Sequence, residues 1–305
     1  TLNYHLRETF GQKVFKVPLD AGFTCPNRDG TKGLGGCLFC SPYGSGDFAG
    51  DRRLSLNEQF QQVRGVLHRK WPQALYIAYF QAFTNTYAPV SHLREVYCSV
   101  LKEPGVVGIS IATRPDCLPD DVLRLLTELN RFTYLWVELG MQTVHESTAR
   151  AMNMGYSFSD VQAAVEGLKS LGIRVCLHII LGLPGESREM MMETVRCAAR
   201  LGVQGIKIHL LHVIKNTGLE KMYLKGQFKC LDRQEYIELV ADILEILPPE
   251  MIIHRLTGDS PREALIAPQW SLKKWEILND IDRELECRDS WQGKYCRSSK
   301  DGIEV

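Results

Sequence analysis

The alternation of apolar runs with amphipathic helical patterns is the feature that most constrains the fold of this chain. The apolar runs end near Asp20, Gln81, Thr113, Met141, Leu181 and Val213. Continuous runs of this kind are typical of parallel strands that are buried on both faces. Helical patterns fill the intervals: Ser55 with Glu58 predicts a capping box, and further helices are predicted to begin at Ser159 and Ser187. Six such units predict an α/β fold, namely a partial (β/α)6 TIM-like barrel that stays open on one side.

The end of the chain follows a different pattern. Asp232 with Glu235 predicts another helix start, and the segment IIHRLTGDSP resembles a strand and a turn. We therefore predict a core barrel in residues 1–215 and an α-rich C-terminal extension in residues 216–305 that packs over the barrel opening.

A glycine-rich loop with three cysteines follows the first predicted strand. Cys25, Cys37 and Cys40 are spaced Cys-x11-Cys-x2-Cys, and the chemistry of such barrels gathers at the carboxyl ends of the strands, where this loop begins. A structural zinc site closes with four protein ligands, and an iron–sulfur cluster is normally held by four thiolates. Three cysteines therefore indicate a cluster with one iron that a non-protein group must ligate. A zinc site completed by Cys98 or Cys117, or a set of buried free thiols, are the alternatives.

Charge and compartment limit the possible partners. Lys+Arg and Asp+Glu are equal at 36 each, which argues against a protein whose affinity rests on nonspecific attraction to phosphates. No charged segment followed by an apolar run begins the chain, and no apolar stretch approaches the roughly 20 residues of a membrane span. We expect a cytoplasmic protein with reduced thiols and no membrane segment.

Ordered motifs along the chain resemble those of one enzyme family. The cysteine loop places Phe39 between the last two cysteines, and YFQAFTNTYAP, ATRPD, ELGMQT, LGLPGE and HLLHV follow at the ends of successive strands. HRLTGD, APQW and SWQGK continue the match in the extension. The whole chain resembles radical S-adenosylmethionine (SAM) enzymes, within them the YhcC/YtqA type, which is related to the elongator catalytic subunit.

This resemblance implies two cofactors. A [4Fe–4S] cluster would be held by Cys25, Cys37 and Cys40, and SAM would bind the remaining iron through its amino and carboxylate groups. Reduction by an electron donor such as flavodoxin or ferredoxin would cleave SAM to methionine and a 5′-deoxyadenosyl radical, which abstracts hydrogen from a substrate C–H bond. The protein would bind, orient and exclude water.

The resemblance also implies a set of SAM contacts. Gln81, Ala82 and Phe83 occupy the place of the segment that meets the SAM amino group through its backbone. Thr84 and Asn85 follow as polar contacts. Gly182 and Leu183 resemble the turn on the adenine side, with Ile180 packed on the base.

Strand periodicity adds two further candidates. Glu138 and Gln142 share one face of the fourth strand, because side chains alternate with a period of two. If that face lines the lumen, both need polar partners, and a ribose hydroxyl and the amino-acid end of SAM would supply them. Pairing of Glu138 with a core arginine is the alternative.

One position departs from the family pattern. Met154 stands where relatives carry an arginine that can reach the SAM carboxylate. Arg114 is a candidate contact for the SAM carboxylate or for the substrate, although it could instead brace Asp116.

The substrate-side candidates are His178, Lys207, His209 and Arg255. The first three lie on two adjacent strands, where a lone histidine can also be a satisfied core residue. The resemblance implies a tRNA substrate, in which a 5-carboxymethylaminomethyl-(2-thio)uridine side chain at the wobble position becomes the 5-aminomethyl form. The alternatives are a small-molecule or peptide substrate, or a non-catalytic zinc protein. Clustering around the barrel mouth of Arg52, Arg53, Lys273, Lys274, Lys294 and Arg297 would favour tRNA.

Overall fold

The architecture comes from a computed structural model that describes residues 1–44 and 46–296. Seven parallel strands form one sheet, whose order follows the chain except at its last member. Its strands are β1 (Val14–Leu19), β2 (Leu75–Phe80), β3 (Val106–Thr113), β4 (Tyr134–Gln142), β5 (Arg174–Leu181), β6 (Gly205–Leu210) and β8 (Ile252–Arg255). The predicted α/β fold with a partial TIM-like barrel is confirmed.

The sixth predicted run is divided between two strands. β6 ends at Leu210, and Val213 belongs to a short strand, β7 (Val213–Ile214), that pairs antiparallel with β9 (Leu265–Ala267). The chain therefore leaves the sheet between His209 and His212, which places His212 beyond the strand.

Helices surround the sheet, and most of them cover its outer face. They are α1 (Leu2–Phe10), α2 (Leu56–Lys70), α3 (Val90–Val100), α4 (Asp120–Asn130), α5 (Glu146–Ala151), α6 (Phe158–Ser170), α7 (Arg188–Arg200), α8 (Gly218–Leu224), α9 (Arg233–Ile246) and α10 (Lys274–Cys287), with a 3₁₀ turn at Gln269–Leu272. The capping boxes predicted at Ser55 and Asp232 are both formed. The start predicted at Ser159 is wrong by two residues, because Ser157 caps α6 and its partner is Asp160.

The two faces of each strand have different roles. On β4, Leu135, Val137 and Leu139 join the main hydrophobic core beneath the helices. The intervening Glu138 and Gly140 line a cavity on the concave side. This alternation places polar side chains inside the curled sheet.

The C-terminal extension takes part in the sheet. β8 pairs parallel with β6 and adds a seventh strand at the edge. Tyr236 and Val240 of α9, with Ile277 of α10, lie in the same hydrophobic core as the central strands. Within the described part of the chain, no helix combines the length and the apolar character that a membrane crossing needs.

Candidate active site

Cys25, Cys37 and Cys40 meet in one cavity. All three are free thiols in the loop between β1 and α2, and they line a cavity of about 200 Å³ at the carboxyl ends of the strands. The N–H of Cys40 donates to the carbonyl of Cys37 at 3.0 Å, which closes the Cys-x2-Cys turn. Gly36 has a φ of 77°, and a Cβ there would lie 2.7 Å from Nε of Arg28, so the loop needs glycine at this point.

The loop is tied to the segment that follows α5. Asn27 donates through Nδ2 to the carbonyl of Asn153 at 2.5 Å, and Asn153 in turn donates to the carbonyl of Gly36 at 2.8 Å. The N–H of Leu38 donates to the carbonyl of Met152 at 3.0 Å. These bonds hold the three cysteines against the barrel.

The donor set fits an iron–sulfur cluster. A hydrogen bond with Cys40, together with burial and the nearby thiol of Cys25, raises the pKa of Cys37 well above its ordinary value. Of the described residues that line this cavity, three are cysteines, so a cluster iron would keep a position for another ligand. Cys117, a proposed fourth zinc ligand, lines a separate cavity of about 770 Å³.

The predicted SAM contacts divide into two groups. Gln81, Phe83, Thr84, Arg114, Glu138 and Gln142 line the cysteine cavity, and Ile180 lines the larger cavity next to it. Ala82, Asn85, Gly182 and Leu183 line neither cavity.

The residues of the second group pack behind the cavity walls. Asn85 is fully buried, and its Nδ2 donates to the carbonyl of Ala112 at 2.8 Å. Gly182, with a φ of 87°, lies against Leu231, and Leu183 belongs to a small apolar cluster with Met152. The side chains of this group therefore shape the site from outside.

A buried polar network centres on Glu138, whose exposure is 0%. Ser110 Oγ donates to Oε1 at 2.5 Å, and His178 Nε2 lies 2.7 Å from Oε2. Lys16 bonds to Oε1 and Lys207 to Oε2. The core partner foreseen for Glu138 is thus a pair of lysines and not an arginine.

The charges of the neighbouring lysines oppose the effect of burial on the pKa of Glu138. Burial alone would raise the pKa of Glu138, but Lys16 and Lys207 hold it well below its ordinary value. Burial, followed by the charge of Lys207, lowers the pKa of His178 to about 4, so its imidazole is neutral near pH 7. Glu138, His178 and Cys176 bring three potential metal ligands within 4.8 Å. The carboxylate of Glu138 in this group is already bonded to the ammonium groups of Lys16 and Lys207.

Arg114 braces the loop around Met154. Its guanidinium makes two bonds of 2.9 Å to Asp116, and it also donates to the carbonyls of Met154 at 2.8 Å and Gly155 at 3.1 Å. Its charge lies 4.7 Å from the ring centre of Tyr156. Of the two interpretations of Arg114, this geometry favours the bracing of Asp116.

A cavity of about 640 Å³ adjoins the cysteine cavity and shares part of its wall. His178, Lys207, His209 and Arg255, the four substrate-side candidates, line both. The rings of His178 and His209 lie 5.2 Å apart. Strands β5, β6 and β8 therefore bring these side chains together.

Several residues of the site were not identified from the sequence. Lys16, Tyr79 and His254 line the larger cavity, and Tyr156 lines the smaller one. The only available signal was a polar group within an apolar run, as with Lys16 in VFKVPL and Tyr79 in LYIAYF.

Comparisons with known proteins place the chain in a family. A model of the Radical SAM superfamily matches residues 25–198, and a model of the Radical_SAM C-terminal domain matches residues 203–287. The first match begins at Cys25 and covers more than half of the chain. The chain belongs to the radical SAM superfamily. Proteins of this superfamily use a [4Fe–4S] cluster and SAM.

Individual radical SAM proteins refine this placement. The chain is 61% identical to YtqA of Bacillus subtilis over 97% of this chain and 92% of YtqA. It is 38% identical to YhcC of Escherichia coli over 92% of this chain and 90% of YhcC. In structure, the archaeal Methanocaldococcus infernus Elp3 with an N-terminal deletion superposes with a TM-score of 0.69 at 19% identity, over 92% of this chain and 64% of that chain. The predicted YhcC/YtqA type, related to the elongator catalytic subunit, is confirmed.

Proposed function

We propose that this radical SAM enzyme modifies tRNA by converting the 5-carboxymethylaminomethyl side chain of a wobble (2-thio)uridine to the 5-aminomethyl form. The observation that carries the enzymatic part is the meeting of three free thiols with the polar carboxyl ends of the strands in adjoining cavities. The uridine substrate rests on the YhcC/YtqA resemblance.

The chain's own residues would hold the cofactors at this place. Cys25, Cys37 and Cys40 bind the cluster, while Gln81 and Gln142 contact SAM from the cavity wall. When bound, the cluster and SAM supply reductive cleavage and a 5′-deoxyadenosyl radical. The protein's part is to bind and orient these groups, because the hard chemistry belongs to the cofactors. Flavodoxin or ferredoxin in the cytoplasm would donate the electron.

Positive charge at the mouth supports an anionic substrate. Lys274, which pairs with Asp259, lines the larger cavity. The guanidinium of Arg52, which pairs with Asp20, lies 5.4 Å from the ring centre of Phe83 in the wall of the cysteine cavity. Exposed cations beside an opening can contact phosphates of a nucleic acid. These two positions satisfy part of the clustering predicted for a tRNA enzyme.

The other described basic residues are either paired with carboxylates or, in the case of Lys294, placed away from the mouth, which keeps a small molecule or peptide as the second candidate substrate. Lys294 lies next to Trp291 in the tail, where the N–H of Gly293 donates to the carbonyl of Leu244 near the end of α9. That end precedes β8, and so it lies at the amino edge of the sheet, away from the mouth. Arg53 pairs with Asp51, and Lys273 pairs with Glu276. Arg297 lies outside the described residues.

A deletion strain tests the tRNA assignment. We expect mass spectrometry of its tRNA digests to show accumulation of the 5-carboxymethylaminomethyl nucleoside and loss of the 5-aminomethyl form. Complementation with the intact gene should reverse both changes, whereas a gene that encodes Cys37→Ala should reverse neither. An unchanged nucleoside profile in the deletion strain would remove tRNA from the proposal.

The enzymatic class has a separate test. Anaerobically reconstituted protein with SAM and a reductant should form 5′-deoxyadenosine, and Cys37→Ala protein should not. Cys98→Ala is the matched control, because Cys98 lies on α3 and lines neither cavity. Protein that binds one zinc and forms no 5′-deoxyadenosine would instead support the zinc alternative.

A further inference from the structure

Two ammonium groups from the wall of the larger cavity share one carboxylate, and that carboxylate lines the cysteine cavity. Lys16 and Lys207 both pair with Glu138, and the neutral His178 adds no charge. Their side chains are 15% and 7% exposed. Lys16, Lys207, Glu138 and His178 form what we call the inner group. This inner group carries one positive charge that its own residues do not neutralise. A buried charge of this kind is costly unless a partner completes it.

Each ammonium group also has an unused hydrogen-bond donor. Lys16 donates to Glu138 and to Ser110 Oγ at 3.1 Å, whereas Lys207 donates to Glu138 and to the Tyr79 hydroxyl at 2.9 Å. An ammonium group has three N–H donors, so one on each has no oxygen or nitrogen acceptor among the described residues.

The two ammonium groups flank the same aromatic ring. The ring centre of Tyr79 lies 4.8 Å from Nζ of Lys16 and 4.3 Å from Nζ of Lys207. Lys16, Lys207 and Tyr79 all line the larger cavity. Both unused donors therefore belong to one small part of the cavity wall.

At the mouth of the same cavity, a second pair of cations shares one carboxylate. Arg255 and Lys274 share the carboxylate of Asp259, at 3.4 Å and 2.7 Å. Asp47, the other carboxylate of this cavity wall, accepts a bond from Ser41 Oγ at 3.0 Å. Cations thus outnumber carboxylates from the mouth to the inner group, although the whole chain has a net charge of zero.

We propose that Lys16 and Lys207 form a binding site for a carboxylate carried by the substrate. Two donors on adjacent cations suit the two oxygens of one carboxylate. The inference rests on and deepens the proposed function, because a carboxymethylamino group ends in a carboxylate that the 5-aminomethyl product lacks. The site would bind the carboxylate of the substrate, and the product would lack this contact because it ends in a cationic amine.

The SAM carboxylate is a second source of the same chemistry. SAM must place its carboxylate at the cluster, next to the three cysteines. Lys16 lines the larger cavity alone and Lys207 lines both cavities, whereas Arg28 lines the cysteine cavity alone and bonds there to the carbonyls of Cys40 and Ser41. The placement of Lys16 assigns the inner site to the substrate, and Lys207 is the group that both ligands can reach.

Binding of a simple probe to reconstituted protein tests the site without tRNA. N-methylglycine carries the expected carboxylate on a secondary amine, and N-methylglycinamide is the counterpart that keeps the amine and lacks the carboxylate. By calorimetric titration we expect the carboxylate to bind at least ten-fold more tightly than the amide. Lys16→Met and Lys207→Met should each abolish that preference, because each removes the surplus charge and leaves Glu138 paired. Lys102→Met, at an exposed lysine after α3, should keep it.

The possible outcomes distinguish failure of the proposed carboxylate site from failure of the proposed uridine substrate. Equal binding of the two probes to the wild-type protein would overturn the inference, and so would a preference that survives in both lysine variants. If SAM affinity falls together with carboxylate affinity in these variants, the ammonium groups serve SAM, which also overturns it. A carboxylate preference that depends on the lysines, combined with unchanged tRNA nucleosides in the deletion strain, would support the site and refute the uridine substrate.

Discussion

Replacing Glu138 with glutamine tests how much one carboxylate stabilises the two buried lysines that share it. The amide nearly preserves the shape of the side chain but removes its charge. Lys16 and Lys207 would then remain buried without a counter-ion, at side-chain exposures of 15% and 7%. Low exposure matters here, because water can screen the charge of an ion pair only where it reaches the charged groups.

The expected loss of stability is large. Breaking a buried ion pair by removing one partner costs about 3–5 kcal/mol. Since two ammonium groups depend on this carboxylate, we expect Glu138→Gln to lose about 5 kcal/mol, which is a large part of a typical 5–15 kcal/mol. The charge-removing Lys207→Met change should restore part of this loss in the double variant, because it takes away one of the two unpaired charges.

Urea unfolding followed by circular dichroism, under anaerobic conditions, measures these differences as free energies of unfolding. Glu128→Gln is the matched control, because Glu128 pairs with Arg94 at the surface with 48% of its side chain exposed. A surface pair contributes about 0–1 kcal/mol. If Glu138→Gln loses no more stability than Glu128→Gln, the charge argument for the network is wrong.

Three other predictions concern the cysteine loop, its brace and pH. Cys25→Ala should lose cluster iron and visible absorbance after reconstitution while Cys98→Ala keeps both, and full iron content in Cys25→Ala would contradict the ligand set. Arg114→Lys should lower the free energy of unfolding by about 1–3 kcal/mol, because an ammonium group cannot replace the bidentate contact with Asp116. The same change should speed amide hydrogen exchange at residues 153–156, and unchanged exchange there would exclude the bracing role. The pKa of His178 is about 4 in the folded protein, below the unfolded value of about 6.5, so its contribution to stability is complete above pH 6.5 and is lost as pH falls toward 4. At pH 5 the free energy of unfolding should be about 2 kcal/mol lower than above pH 6.5. In the His178→Asn variant, the midpoint of urea unfolding should depend less on pH in this range. An unchanged pH dependence would assign the titration to other groups.

The elements that the sequence predicted correctly are those with local signals. The strand ends near Gln81, Thr113 and Leu181 agree with the structure because buried parallel strands require continuous apolar runs. The caps at Ser55 and Asp232 were predictable because a capping box is contained within four residues.

The missing parts of the site depend on contacts that are distant in sequence. Lys16 and Glu138 are 122 positions apart, and Lys207 and Tyr79 are 128 apart. From the sequence, the side chain of a lysine in the first strand can face either solvent or the inside of the barrel. Only the curvature of the folded sheet decides which of the two it faces. The role of Arg114 likewise depended on where the carbonyl groups of Met154 and Gly155 would lie.

The position of β8 at the edge of the sheet has a consequence for synthesis of the chain. β6 ends at Leu210 and its neighbour begins at Ile252, so a nascent chain must grow by about 40 more residues before that edge can be covered. At about 5–20 residues per second, the hydrogen-bonding groups of β6 stay open for roughly 2–8 s on the ribosome. During that interval the cysteine loop has already left the ribosome, so a cluster could enter before the last wall closes.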